Sequence, residues 1–306
     1  MTNQYQTNAD NSFEDDRIDV AELFGFLWEG KKTIITVTTV FFLSSIFYAL
    51  SLNHYYKSTS TLSVIEAVSG GGGSMGGLAA IAGISIQQVG VKGPRFINTL
   101  RSRAFLNHLI STDENILPAL MAVKSNDIES KKLIFDPNVY DAANKKWLIP
   151  KPNYLEAFPY YMTYLYSYYH DMRRIIDVQF EHESPIFAKE FLDTIIREGD
   201  KVLREFDMQV SIDSLEYLNV ELGTTKLLNI KSSINQMILS QMQTKMTTQL
   251  GYNYVVKIID PPFVPLYPYR PSRRFIVMIS TLGGLVISIL LILMRQYIGF
   301  NITKQE

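Results

Sequence analysis

Two stretches of the chain, residues 33–52 and 275–294, each run for about twenty residues without a charge. At 1.5 Å per residue, a helix of that length crosses a hydrocarbon core of about 30 Å. Both are read as membrane-spanning helices. Between them the pattern changes twice. Residues 55–65, 174–180 and 252–259 carry Thr, Tyr, Val and Ile with partial alternation, best at Ile176, Val178 and Phe180, and predict three strands. Ser184-Pro185 then gives a helix-start signal, a capping serine followed by proline at the first helical position. After it, apolar residues recur at helical spacing through Phe187, Phe191, Ile195 and Ile196, and again from Ile212, Leu215, Leu218 and Leu222 to Ile234, Met237, Ile238, Met242 and Met246. The expectation is one long helix over about 204–250, roughly 70 Å if continuous, with Gly223 as its one break or kink. A rod of that length must bury its apolar stripe against something, and identical neighbours are the natural cover.

The remaining segments are shorter. Residues 1–17 are polar and acidic. Asp19 is placed to cap a helix with Val20, Leu23, Phe24, Leu27 and Trp28 on one face, read either as interfacial or as a plain start to the first span. Residues 93–110 predict a helix with Phe96, Leu100, Phe105 and Leu109 on one side. Residues 112–152, with Pro118, Pro137 and Pro150, predict short helices and loops. Residues 69–77 are glycine-rich, but no Gly-Lys-Ser/Thr follows. That excludes a phosphate-binding loop and leaves a linker, followed by a small apolar helix candidate at 78–86.

Before the second span, Asp260-Pro261-Pro262 leads into Pro265, Pro268 and Pro271, then Arg273 and Arg274. Proline at every third position suits a polyproline II strut, with Pro262, Pro265, Pro268 and Pro271 along one edge; an ordinary proline-rich loop is the alternative. Within the second span Ser280, Gly284 and Ser288 recur every fourth residue, which allows close helix packing, with Ser45 and Ala49 as a facing groove.

The chain has 306 residues and a net charge of −1, too little positive charge for a nucleic-acid binder. It has no cysteine, which excludes disulfides and thiolate metal sites. The four histidines form no HExxH motif, and no Gly-x-Ser-x-Gly elbow is present. No catalytic, cofactor-binding or metal-binding residue is assigned. Glu181 and Glu183 flank His182 in a strand, so the carboxylates share one face and the imidazole takes the other, a solvated edge rather than a metal site. Residues 154–169 are dense in tyrosine, read as core or subunit contact, with Tyr161, Tyr164 and Tyr168 as candidate glycan contacts. An enzyme with a new site in this region is the least favoured reading. The spans contain no ionisable residue, so a transport pathway lacks its usual mark. Lys31, Lys32 and Arg295 flank the spans on the tail side, and Lys57, Arg270, Arg273 and Arg274 on the loop side. The count is balanced, and the lysine pair before the first helix favours cytoplasmic termini.

Four stretches resemble the chain-length determinant (Wzz-type) family of polysaccharide co-polymerases: Ile18-Asp19-Val20 through Leu27-Trp28; Leu100-Arg101-Ser102-Arg103 with Phe105-Leu106; Glu183-Ser184-Pro185 with Ala188; and 256–261 followed by the proline triplets and Arg273-Arg274. Ser184 departs from the family's acidic residue, and Pro261 stands where alanine is common. The resemblance implies an α+β fold with two transmembrane helices, a membrane-proximal α/β base and a long extended helical hairpin, assembled into a homo-oligomeric ring. It divides the chain into a cytoplasmic tail (1–32), a first span (33–52), a periplasmic domain (53–272, with the proline arm at 261–271), a second span (275–294) and a short cytoplasmic tail (295–306). It further implies a non-enzymatic inner-membrane scaffold without cofactor. Such a scaffold sets the length of O-antigen, capsule or exopolysaccharide together with a polymerase and the growing glycan. An export component, or an activator of a separately encoded tyrosine kinase, is the alternative.

Overall fold

In the strand Ile175–His182 every second residue is buried, and the same holds through most of Tyr56–Val64. This is the period-2 signature of a sheet covered on one face. The computed structural model describes residues 28–65, 92–127, 132–249 and 253–303. The helix expected around Val20 to Leu27, the glycine-rich run and the 78–86 helix lie outside these residues. The chain divides into two units, Asn53–Arg270 and a unit made of Met1–Leu52 with Pro271–Glu306.

The second of these contains two long helices, α1 (Lys31–Ser51) and one closing the chain, Arg273–Thr303. Both are long and apolar enough to cross a membrane.

The larger unit is α+β. Its strands and helices run in the order β1 (Tyr56–Val64), α2 (Lys92–Leu100), α3 (Arg103–Thr112), α4 (Ile116–Met121), β2 (Val123–Asp127), β3 (Lys132–Phe135), β4 (Tyr140–Asp141), β5 (Lys146–Trp147), α5 (Tyr154–Tyr164), β6 (Leu165–His170), β7 (Ile175–His182), α6 (Pro185–Thr224), α7 (Leu228–Gln249) and β8 (Val256–Asp260). The terminal helix Arg273–Thr303 is α8. Four strands form an antiparallel sheet in the order β6-β7-β1-β8, so the first and last strands of the unit are neighbours. Leu62, Ile176, Val178 and Phe180 point from the sheet into one core with Phe96, Leu100, Phe105, Leu109, Tyr161, Phe191, Leu192 and Ile195.

Several expectations are corrected. The helix expected over 93–110 is two helices, because Ser102 is extended and its side chain accepts from the Phe105 backbone N–H, capping α3. The polar region 112–152 contains two small antiparallel hairpins, β2–β3 and β4–β5, besides the short helix α4. The long helix does not run from 204 to 250. It starts at Pro185 behind the Ser184 cap and ends at Thr224. Thr225 is extended, and α7 runs back along α6. α6 spans about 60 Å and α7 about 33 Å. The stripe through Leu218 and Ile234 is therefore covered within one chain, each of these side chains being buried. Gly199 lets α2 approach α6, since a Cβ there would stand 2.7 Å from Leu100 Cδ2 and 3.0 Å from Phe96 Cε2.

Candidate functional site

Proline has no backbone N–H, so the ladder between β1 and β8 cannot simply continue past Asp260. Serine hydroxyls take over along this flank of β1. Ser60 Oγ donates to the Asp260 carbonyl at 2.6 Å, and Ser58 Oγ donates to the Phe263 carbonyl at 2.9 Å. Further along, the Tyr55 N–H donates to the Arg270 carbonyl at 2.8 Å, and the Tyr269 N–H returns a bond to the Tyr55 carbonyl at 2.7 Å. Arg270 pairs with Glu181 of β7, and Lys57 Nζ sits 3.6 Å from the centre of the Tyr269 ring. Pro262 and Pro265 are buried, while Pro268 is exposed. The arm is thus a strap laid along the sheet rather than a free strut. Its outer side presents Ile259, Leu266 and Tyr267, all well exposed.

In the other unit Pro271 precedes α8, and Arg273 donates from Nη2 to the Leu52 carbonyl at 3.4 Å; Arg274 is exposed. Ser280 Oγ donates to the Phe41 carbonyl at 3.5 Å, and a Cβ on Gly284 would stand 2.6 Å from Phe41 Cβ. Ser288, Ser45 and Ala49 are buried. Ser280 and Gly284 of the small-residue stripe therefore meet α1 within one chain, at Phe41.

The three tyrosines singled out from the sequence separate. Tyr161 is fully buried and donates to the Leu100 carbonyl at 2.8 Å, so it is a core residue and not a glycan contact. Burial pushes its phenol well above the usual range. Tyr164 stacks on Tyr55 with ring centres 5.4 Å apart. Burial, and then the Tyr164 hydroxyl, raise the Tyr55 phenol. Tyr168 is half exposed, on the face of the sheet opposite the core.

That outer face was not read from the sequence, because strand register alone assembles it. Tyr166 lies beside Gln179 and, one strand on, Thr59; Tyr168 lies beside Asp177 and then Thr61. Asp177 accepts from Thr61 Oγ1 at 2.9 Å and lies 2.9 Å from His170 Nε2. The Tyr168 ring meets His170 edge-on at 4.7 Å.

The histidine between two glutamates is not at a solvated edge. His182 is 6% exposed, lies against Phe187 with ring centres 4.5 Å apart, and bonds the Ala119 carbonyl at 2.8 Å through Nε2 while Nδ1 accepts from the Ser184 N–H. Burial lowers its pKa to about 4, so the ring is neutral. The period-2 run Ile176, Val178, Phe180 carried the signal.

Charged groups elsewhere fasten elements together. The Asp200 carboxylate accepts from three successive N–H groups, Tyr254, Val255 and Val256, where the chain enters β8. Arg95 and the Tyr254 hydroxyl share Asp207, each at 2.8 Å. Lys92 donates to the Tyr254 carbonyl at 3.0 Å, and burial lowers its pKa. Two of the motif stretches prove to be corners of the fold. Leu100 offers its carbonyl to Tyr161, Arg101 donates to Ser167, and Ser102 caps α3; Ser184 caps α6, and Ala188 is fully buried. Among the described residues no group of three or more His, Asp or Glu side chains converges as metal ligands.

Residues 16–112 match the family model described as Wzz, chain length determinant protein. The stretches at 18–28 and 100–106 fall inside this match, and those at 183–188 and 256–274 outside it. A solved structure described as a full-length bacterial polysaccharide co-polymerase is similar at 13% identity, covering 92% of this chain and 98% of its own, with a TM-score of 0.34. No curated protein matches the chain.

Proposed function

We propose, from the match of residues 16–112 to the chain length determinant family, that this protein is a non-catalytic membrane scaffold. It would regulate the length of a bacterial surface polysaccharide, acting with a polymerase on the growing glycan. The architecture supports the reading. Two apolar helices bracket one folded unit, and that unit carries a long two-helix hairpin. Length control needs a surface that reports how much chain has been made. It needs no nucleophile or general base.

In this reading α1 and α8 cross the inner membrane, both termini are cytoplasmic, and residues 53–272 face the periplasm. Several copies form a ring. The chain's lack of cysteine makes the orientation directly testable. A single cysteine at exposed Met172 or Leu228 reacts with a membrane-impermeant maleimide in cells with a permeabilised outer membrane, and one placed at residue 5 does not.

Deleting the gene and running the surface polysaccharide on a gel tests the function. The expected result is continued export with loss of the preferred chain length. An unchanged length distribution overturns the proposal. Complete loss of surface polysaccharide moves the assignment to an export component.

A further inference from the structure

The outer face of the sheet sets exposed tyrosines in register with hydrogen-bonding side chains. The strap and the hairpin present aliphatic and aromatic side chains together, such as Leu266 with Tyr267 and Leu239 with Tyr217. The outer sheet face presents two rows, each an aromatic ring followed by side chains that can hydrogen-bond: Tyr166-Gln179-Thr59 and Tyr168-Asp177-Thr61. Residues two apart on β6 lie about 7 Å from one another, and successive strands about 4.8 Å apart. The two rings therefore stand side by side along an edge strand, with hydroxyl, amide and carboxylate groups stepping inward from each.

The charges on the β7 and β1 part of this face are already matched. Asp177 is held by Thr61 and His170, Glu181 by Arg270, and Lys57 lies over Tyr269. Beside the two tyrosines, among the described residues of β6, β7 and β1, no charge is left without such a neighbour; the exposed Lys257 and Asp260 lie farther along, on β8. Left over are the exposed faces of Tyr166 and Tyr168, about half exposed each, and the Gln179 amide and Thr59 hydroxyl, which have no partner among the described residues. A ring with an apolar C–H face and a rim of hydroxyls is complementary to that set. It stacks on tyrosine while its rim exchanges hydrogen bonds with amide and hydroxyl groups.

We propose that this face is a saccharide-binding surface, on which uncharged sugar residues stack on Tyr166 and Tyr168 and hydrogen-bond to Gln179, Thr59 and Asp177. The proposal rests on the polysaccharide reading above and adds to it a place where the protein touches the glycan. Of the two rings, only Tyr168 was legible in sequence, and Tyr161 leaves the set because it is buried.

The test uses the full chain in detergent. The probe is short oligomers made by partial acid hydrolysis of the surface polysaccharide of the producing cells, titrated calorimetrically. Tyr166→Ala and Tyr168→Ala each weaken binding roughly fivefold or more. Gln179→Ala weakens it as well, Tyr168→Phe stays within about twofold, and Tyr217→Ala on the hairpin leaves it unchanged. The melting temperature checks folding of each variant. No binding by the native protein, or equal binding by the Tyr166, Tyr168 and Gln179 variants, overturns the proposal. So does efficient disulfide formation between subunits through a cysteine at 166 or 168, which would make a second copy the occupant. If such failure accompanies a lost length preference in the gene deletion, the saccharide surface falls and the length-regulator reading stands. If deletion leaves chain length unchanged, that reading falls.

Discussion

His182 ties the end of β7 to α4 and to the capping residue of α6 by hydrogen bonds that need a neutral ring. Nε2–H donates to the Ala119 carbonyl, while Nδ1 accepts from Ser184, whose own hydroxyl caps α6. Its folded pKa of about 4 lies below the value near 6.5 of an unfolded chain. The unfolded state therefore binds the extra proton between those values. The contribution to stability is complete above about pH 6.5 and is lost as pH falls towards 4, at up to roughly 1.4 kcal/mol per pH unit. Chemical denaturation of the native chain at pH 7.5 and pH 5 should show this loss, and His182→Gln should flatten the slope in that window whatever its own stability. Tyr161 makes a second test at this scale. Tyr161→Phe keeps the ring but leaves the Leu100 carbonyl without its phenol donor. The expected cost is about 1–2 kcal/mol, read as a lower denaturation midpoint.

Between elements, close approach is what glycine supplies. Gly284 faces the root of the Phe41 side chain, where no rotamer change can make room, so any larger side chain must separate α1 from α8. A cysteine pair at Phe41 and Ser280 reads this directly in a chain with no other thiol. Oxidation should link the two helices efficiently in the parent, and Gly284→Leu should reduce the yield severalfold. The same comparison shows what a sequence conveys at this scale. Both spans, the strands around β1 and β7 and the Ser184-Pro185 helix start follow local rules of length, period and capping, and these could be read directly. The reversal after Thr224 could not, although Gly223 marked the place of the break. The residues that leave the helix, Thr225, Lys226 and Leu227, include neither proline nor glycine, and Gly223 stays helical. The β2–β3 hairpin escaped because Val123–Asp127 has one apolar residue and no alternation. The outer sheet face escaped because it joins residues 59, 166 and 179, which only register brings together.

A two-helix rod has an arithmetic problem that the whole molecule must solve. On α6 the inner line through Ser211 and Leu218 faces α7, yet Phe206, Val210, Tyr217 and Val220 form a second line and are exposed. On α7 Ile234 is turned inward, while Leu228, Leu239, Met242 and Met246 make an outer line of the same kind. Each helix can give one stripe to its partner, so folding back within the chain covers the inner pair and leaves two apolar lines bare. At about 25 cal/mol for each Å² removed from water, covering such lines along several turns outweighs the freedom lost on association only if many copies share it, as closed symmetry allows. The detergent-solubilised particle should therefore have a mass several times the 35.0 kDa of one chain. Leu239→Glu with Met242→Glu places charge on the outer line of α7 without touching Leu218 or Ile234. It should lower the particle mass towards that of one chain while leaving the helical circular dichroism intact. A native particle with the mass of a single chain would remove the basis for the proposed ring.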